Sequence, residues 1–169
     1  MTFISRLVDE LERESARTIR VLEQVPPQQA AWKPHDRSME FGPLVQMVAT
    51  MPSWVAMIVT MDELDIAPKH GPQHAPPPAD TAAQLIEAHA KAMEGARGAL
   101  ASTDEAFLQT PWRLLRGGEV ALELPRHEMI RDTINHWAHH RGQLTVYLRL
   151  LGARVPSVYG PSADDSRVL

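Results

Sequence analysis

The chain has 169 residues, no cysteine and a formal net charge of −4. Without thiols it has no disulfide scaffold, thiolate ligand or cysteine nucleophile, and without a basic run it is not expected to bind nucleic acid or an anionic membrane surface. It also lacks a signal-peptide pattern and any run near the roughly 18 apolar residues of a membrane helix, so we expect one cytoplasmic domain over residues 1–169.

The first helix is predicted over residues 2–24, where apolar side chains recur at helical spacing. Phe3, Leu7 and Leu11 begin this apolar stripe, and Thr2 is a suitable N-cap. Pro26 and Pro27 end the helix, because the residue before a proline avoids the α region. Trp32, in the following loop, is expected to pack under the end of the helices, the alternative being that it lines a pocket.

The second helix is predicted over residues 41–61, again from apolar residues three and four apart. Pro52 lies inside this pattern and predicts a kink near residues 48–51. The methionines of this helix, Met47 among them, are interpreted as flexible core filler rather than as a sulfur site.

Residues 65–79 contain five prolines and are predicted to form a long linker. His70 and His74 in this linker are interpreted as solvated side chains, the alternative being adventitious metal ligands. A third helix is predicted over residues 81–101 with Thr81 as its cap, and its His89 either faces the core or serves as a spare ligand. Gly117-Gly118 predicts a β-hairpin over residues 111–124.

The last helix is predicted from Pro125-Arg126 to Gly152, which is suited to terminate it, and residues 152–169 are expected to form an irregular strap. Four amphipathic helices with one long crossover connection and a small hairpin before the last helix predict an all-α four-helix bundle. Arg141 and Gln143 on the last helix are interpreted as structural residues that bond to the tail or to a loop, the alternative being contacts to a substrate.

The last helix contains three histidines within five residues. His136 and His140 are four residues apart, so they lie one above the other and are able to offer two imidazoles to one metal ion. His139 shares their arc, and Asp132, one turn earlier, is expected to accept an imidazole N–H. The alternative is a helix that carries three histidines by chance. Gln143 and Tyr147 continue the same semi-polar stripe, which favours a pocket between helices.

Two stretches of this chain resemble the DinB/YfiT-like superfamily of metalloproteins. They are NHWAHHRGQLTVYLRLLGARVPSVYGPSADD, in the last helix and tail, and HDRSMEFGPLVQMVATMPSW, which leads into the second helix. The resemblance implies a four-helix bundle, commonly dimeric, in which three histidines hold a divalent metal. Two of these match His136 and His140, but Met47 occupies the position of the third, on the second helix.

The substitution at Met47 leaves two hypotheses open. A thioether is a soft ligand that suits Cu(I) better than Zn, Ni or Fe in the divalent state, so metal binding is expected to be weakened or lost unless His35, His89 or His127 replaces the missing ligand. In the first hypothesis the chain is a metal-dependent transferase or hydrolase, since the resemblance implies thiol-dependent transferases and isomerases in a few members. In the second it has a degenerate site and is a small-molecule-binding or dimerisation module. The resemblance implies a homodimer in either case, and Trp54, Trp112 and Trp137 are expected to provide more large apolar surface than one small core needs.

Overall fold

In a computed structural model that describes residues 2–70 and 81–167, the chain forms five α-helices and one three-stranded sheet. The helices are α1 (Phe3–Leu22), α2 (Phe41–Thr50), α3 (Ser53–Thr60), α4 (Ala82–Ala101) and α5 (Arg126–Leu150), and the strands are β1 (Glu63–Asp65), β2 (Pro111–Arg116) and β3 (Glu119–Pro125). The prediction of a mostly helical fold with a hairpin before the last helix is therefore confirmed.

The helix ends follow the capping residues of the sequence. The Thr2 hydroxyl accepts a hydrogen bond from the Ser5 N–H, 3.1 Å away, at the start of α1. Thr81 and Gln84 form a reciprocal capping box at the start of α4. After α5, Gly152 has a φ of 73°, in the left-handed region that glycine adopts without a steric penalty. The predicted caps are thus confirmed at all three positions.

The predicted second helix is two helices. Helix α2 ends at Thr50 and α3 begins at Ser53, and their axes differ by 57°. The helix breaks at Pro52 because the proline ring fixes φ and the proline nitrogen has no hydrogen to donate to the preceding turn. The sequence predicted a kink near residues 48–51. The structure instead has a complete break between the two helices, at residues 51–52.

Within the described residues, no single helix is long and apolar enough to cross a membrane. The bent pair α2–α3 meets that requirement by length and composition only.

The sheet joins the hairpin to a strand that the sequence did not predict. Strands β2 and β3 pair antiparallel around Gly117 and Gly118, both at positive φ, and β1 pairs parallel with β2. The Asp65 carboxylate accepts hydrogen bonds from the Gly117 and Gly118 N–H groups, at 3.0 and 2.7 Å. The linker prediction was wrong for Asp65, which belongs to β1. Residues 71–80, with His74, lie outside the described residues.

Two tryptophans fill the core between the helices and the sheet. Trp112 from β2 and Trp137 from α5 are each 1% exposed, whereas Trp54 of α3 is only half-buried. The sequence had suggested that these large side chains provide surplus apolar surface for a dimer. That interpretation was wrong for Trp112 and Trp137, because both side chains are buried within the chain itself.

A buried arginine connects α5, α1 and the C-terminal tail. Arg141 is fully buried and donates to the Glu14 carboxylate, to the Thr18 hydroxyl at 3.0 Å and to the Tyr159 hydroxyl at 2.6 Å. Burial alone would raise the pKa of Glu14, but hydrogen bonds from Arg141 and Tyr159 outweigh it and hold this pKa below its ordinary value. The structural role predicted for Arg141 is confirmed.

Candidate functional site

The candidate site lies on the part of α5 that runs antiparallel beside α2. The Trp137 indole N–H donates to the Val48 carbonyl at 2.8 Å, and the Tyr147 hydroxyl donates to the Met39 carbonyl at 3.1 Å. These two bonds fix the register of the helices. They bring the α2 turn that contains Met47 to within about one helical turn of the level of His136 and His140.

The two histidines predicted to act together are in direct contact. Their Nε2 atoms are 2.7 Å apart, and their ring centroids are 4.5 Å apart. The ring of His139 meets that of His140 edge-on at 5.1 Å, and the ring of Trp54 meets that of His136 edge-on at 6.4 Å. The site is therefore an imidazole pair with a third imidazole on one side and an indole on the other.

A chain of hydrogen bonds fixes the tautomers of this pair. Since the Tyr147 hydroxyl donates to a carbonyl, its oxygen accepts from the Gln143 amide N–H, at 3.3 Å. The Gln143 oxygen then accepts from the Nδ1–H of His140 at 3.0 Å. A neutral His140 consequently has its lone pair on Nε2, where it accepts the Nε2–H of His136. Gln143 thus orients His140 as the partner of a metal-bound histidine does.

The surroundings of His136 favour its neutral form. Partial burial lowers its pKa, and the nearby His140 and His139 lower it further, because a second positive charge at this distance is unfavourable. Neutral imidazole is the form that binds metals and accepts protons.

The structure does not bring the Asp132 carboxylate to His136. Its carboxylate lies 3.8 Å from the Arg131 guanidinium and, among the described contacts, makes no hydrogen bond to His136. The tautomers of His136 and His140 are set instead by Gln143, which bonds to His140. The sequence had placed Gln143 in the pocket, but it gave no indication that Trp54 contacts His136.

The other histidines considered as a third ligand are engaged elsewhere. His89 is fully buried between the Ser15 hydroxyl, at 2.8 Å, and the Ala49 carbonyl, at 2.9 Å. His127 bonds to the Leu108 carbonyl, and His35 accepts from the Arg37 N–H. Across residues 2–70 and 81–167 there is no group of three histidine, aspartate or glutamate side chains able to hold a metal ion.

The donor set is therefore an incomplete metal site, with two of the three protein ligands that a catalytic ion needs. Two neutral imidazoles with adjacent Nε2 atoms fit neighbouring positions on one divalent ion once His136 carries its proton on Nδ1 instead of Nε2, since such ions bind histidine nitrogen at about 2.0–2.1 Å. A resident catalytic ion needs three protein ligands, and the described residues supply no third nitrogen or carboxylate. The residues present do not fit such an ion.

The mostly helical fold, with a small sheet and two contacting histidines on its last helix, defines a class of helical proteins with an imidazole pair on the last helix. The family model of the DinB family matches residues 1–167, and the chain belongs to this family.

Similar solved structures and a similar sequence come from bacilli. The fold resembles the crystal structure of a DinB-like protein from Bacillus cereus, with a TM-score of 0.68 and 20% identity over 90% of this chain and 95% of the other. It also resembles the DinB-like protein YjoA from Bacillus subtilis, with a TM-score of 0.64 and 18% identity over 96% and 99% of the two chains. The uncharacterized protein YrdA of Bacillus subtilis is 37% identical over 46 residues, which are 27% of this chain and 28% of YrdA.

Proposed function

We propose that the chain binds a small molecule at the imidazole pair of His136 and His140 and holds a divalent ion there only weakly, with solvent or the bound molecule completing its coordination. The observation that carries this proposal is the 2.7 Å separation of the two Nε2 atoms, one of them oriented by Gln143. The absence of a third nitrogen or carboxylate among the described residues supports weak binding. In this proposal α2 and α3 together form the second helix of a four-helix bundle, and the protein is a cytoplasmic homodimer.

The affinity for Zn(II) tests the proposal. Calorimetric titration of the native protein should give weak, substoichiometric binding, and His140→Ala should abolish it. Met47→His should restore tight binding. The gain should be a few kcal/mol, a fraction of the roughly 10–16 kcal/mol of complete structural zinc sites. Met47→Leu is the matched control, since it removes the thioether and keeps the apolar volume.

Two outcomes would contradict the proposal. Tight, stoichiometric binding by both the native protein and Met47→Leu would mean that another residue completes the site. If Met47→His gains nothing, then position 47 does not face the imidazole pair. Joint binding is tested with Co(II) and acetohydroxamate, a bidentate oxygen ligand, which should bind more tightly together than either does alone.

A metal-dependent transferase or hydrolase is the second candidate. The hydrogen bond from His140 Nδ1 to Gln143 favours it, because metal-bound histidines are usually oriented by such a partner. Metal-dependent hydrolysis of p-nitrophenyl acetate, lost in His140→Ala, would favour this candidate; equal rates in both proteins would exclude it for this substrate.

A further inference from the structure

A second concave site lies at the end of the helices where α1 stops. It is a cavity of about 270 Å3 between the 25–30 loop, the start of α2 and the start of α4. Phe41, Val45 and Leu85 form its apolar floor, and Gln28 and Gln29 stand at its rim. Among residues 2–70 and 81–167, no lysine, arginine, aspartate or glutamate lines it.

This cavity is separate from the imidazole pair. Val45 lines it, whereas Met47 lies two residues further along α2. Two residues turn a helix by about 200°, so these side chains leave opposite faces of α2. A ligand in the cavity would therefore not touch the candidate metal ligands.

The walls of the cavity are held by backbone hydrogen bonds. The Gly42 N–H donates to the Ala30 carbonyl and the Phe41 N–H to the Trp32 carbonyl, both at 2.8 Å. A Cβ added at Gly42 would lie 3.0 Å from the Ala30 side chain and 3.1 Å from its carbonyl oxygen. The loop and the helix are thus in close contact, which makes the cavity a preformed site.

The rim has two features of a binding site. Gln28 has a φ of 62°, which a residue with a side chain rarely adopts and which strained functional positions often show. The side-chain amides of Gln28 and Gln29 make no hydrogen bond within the described part of the chain. Each amide therefore offers both a donor and an acceptor to a ligand.

We propose that this cavity binds an uncharged small molecule with one apolar ring and a hydroxyl or amide group directed at Gln28 and Gln29. Against the described lining residues, none of which is charged, an ionised ligand would lose its hydration without gaining a partner of opposite charge. The volume lies between the roughly 150 Å3 that accommodates benzene and the roughly 300–1,000 Å3 of drug-sized pockets. A ring with a few further atoms is the size that fits.

Three isosteric probes test the proposal: benzamide is neutral, benzoate is anionic and benzamidine is cationic. Each is titrated into 15N-labelled protein while the amide signals are followed. Benzamide should shift the side-chain NH2 signals of Gln28 and Gln29 and the backbone signal of Gly42. The two charged probes should bind at least about tenfold more weakly. Saturating Zn(II) should not change the benzamide affinity, so this test is independent of the proposed metal binding.

Two variants make the test specific. Gln29→Ala removes one amide from the rim and should weaken benzamide binding about three- to tenfold, the effect of one neutral hydrogen bond. Val45→Phe fills the floor and should abolish binding, with the rest of the spectrum reporting whether the variant is folded. Equal affinity for all three probes, shifts centred on His136 and His140, or no shift with any probe at millimolar concentration would overturn the proposal.

Discussion

Removing the negative charge of Glu14 tests whether its buried ion pair with Arg141 stabilises the fold. Glu14→Gln keeps the shape of the side chain but leaves the guanidinium of Arg141 buried without a counter-ion. The two side chains are 3% and 1% exposed. Breaking a buried pair on one side costs about 3–5 kcal/mol, because the remaining charge is desolvated without compensation.

The structure places the expected loss at the lower end of this range. Arg141 keeps three neutral partners in the variant, namely the Glu14 carbonyl, the Thr18 hydroxyl and the Tyr159 hydroxyl. We therefore expect a loss of about 3 kcal/mol in the free energy of unfolding. For a chain of this size that corresponds to a decrease of roughly 6–12 °C in Tm.

Urea unfolding at pH 7 measures the loss, and the chain contains a matched control. Arg97 and Glu12 form an ion pair at 2.5 Å between α4 and α1, but their side chains are 47% and 46% exposed. Glu12→Gln should therefore cost less than about 1 kcal/mol. If both variants lost the same free energy of unfolding, burial would not be what makes the pair of Glu14 and Arg141 stronger than that of Glu12 and Arg97.

The pH dependence provides a second check on the same pair. Because the pKa of Glu14 is lowered on folding, its contribution is fully present above the unfolded-state value of about 4.3. It is lost as the pH falls through the lower, folded-state pKa. The difference between native protein and Glu14→Gln should accordingly shrink below about pH 4.3. A constant difference would contradict the assigned direction of the shift.

Burial lowers the pKa of the His89 imidazole in the folded protein. As the pH falls, this side chain is therefore protonated in the unfolded chain before it is protonated in the folded one. Stability should fall below about pH 6.5 by up to about 1.4 kcal/mol per pH unit, and urea midpoints that stay constant from pH 7 to 5 would contradict this. Gln28→Gly should raise the free energy of unfolding by up to about 1 kcal/mol, since glycine adopts the left-handed conformation without strain; a lower urea midpoint would argue against strain at this position. Light scattering at tens of micromolar should give twice the chain mass of 18.9 kDa, and a monomer would count against the expected homodimer.

Local signals in the sequence predicted most of the fold. Thr2, Thr81 and Gly152 mark helix ends through their own side chains or backbone freedom, so no distant contact was needed to locate them. Strand β1 has only three residues, too few for a periodic signal, and it pairs with residues about 50 positions away. Whether Pro52 kinks or breaks a helix depends on what packs against each half, which the local pattern does not contain.

The sequence predicted those parts of the candidate site that depend only on the spacing of residues along one helix. The spacing of His136 and His140 places them one above the other on any regular helix, and their Nε2 atoms lie 2.7 Å apart in the structure. Asp132 is also one turn from His136, but its side chain turns toward Arg131. The contact with Trp54 depends on the 57° bend between α2 and α3, and it was therefore not visible in the sequence.

The contact between Tyr159 and Glu14 has a consequence for the order in which the chain folds. It joins residues 145 positions apart, so the entropy of closing a very long loop opposes it until the helices between them are in place. We expect the tail to dock late. Before docking, Arg141 and Glu14 lack one shared hydrogen-bond partner and remain more accessible to water. We therefore expect the docking of the tail to expel water from the cluster of Arg141 and Glu14 as well as to order the tail itself.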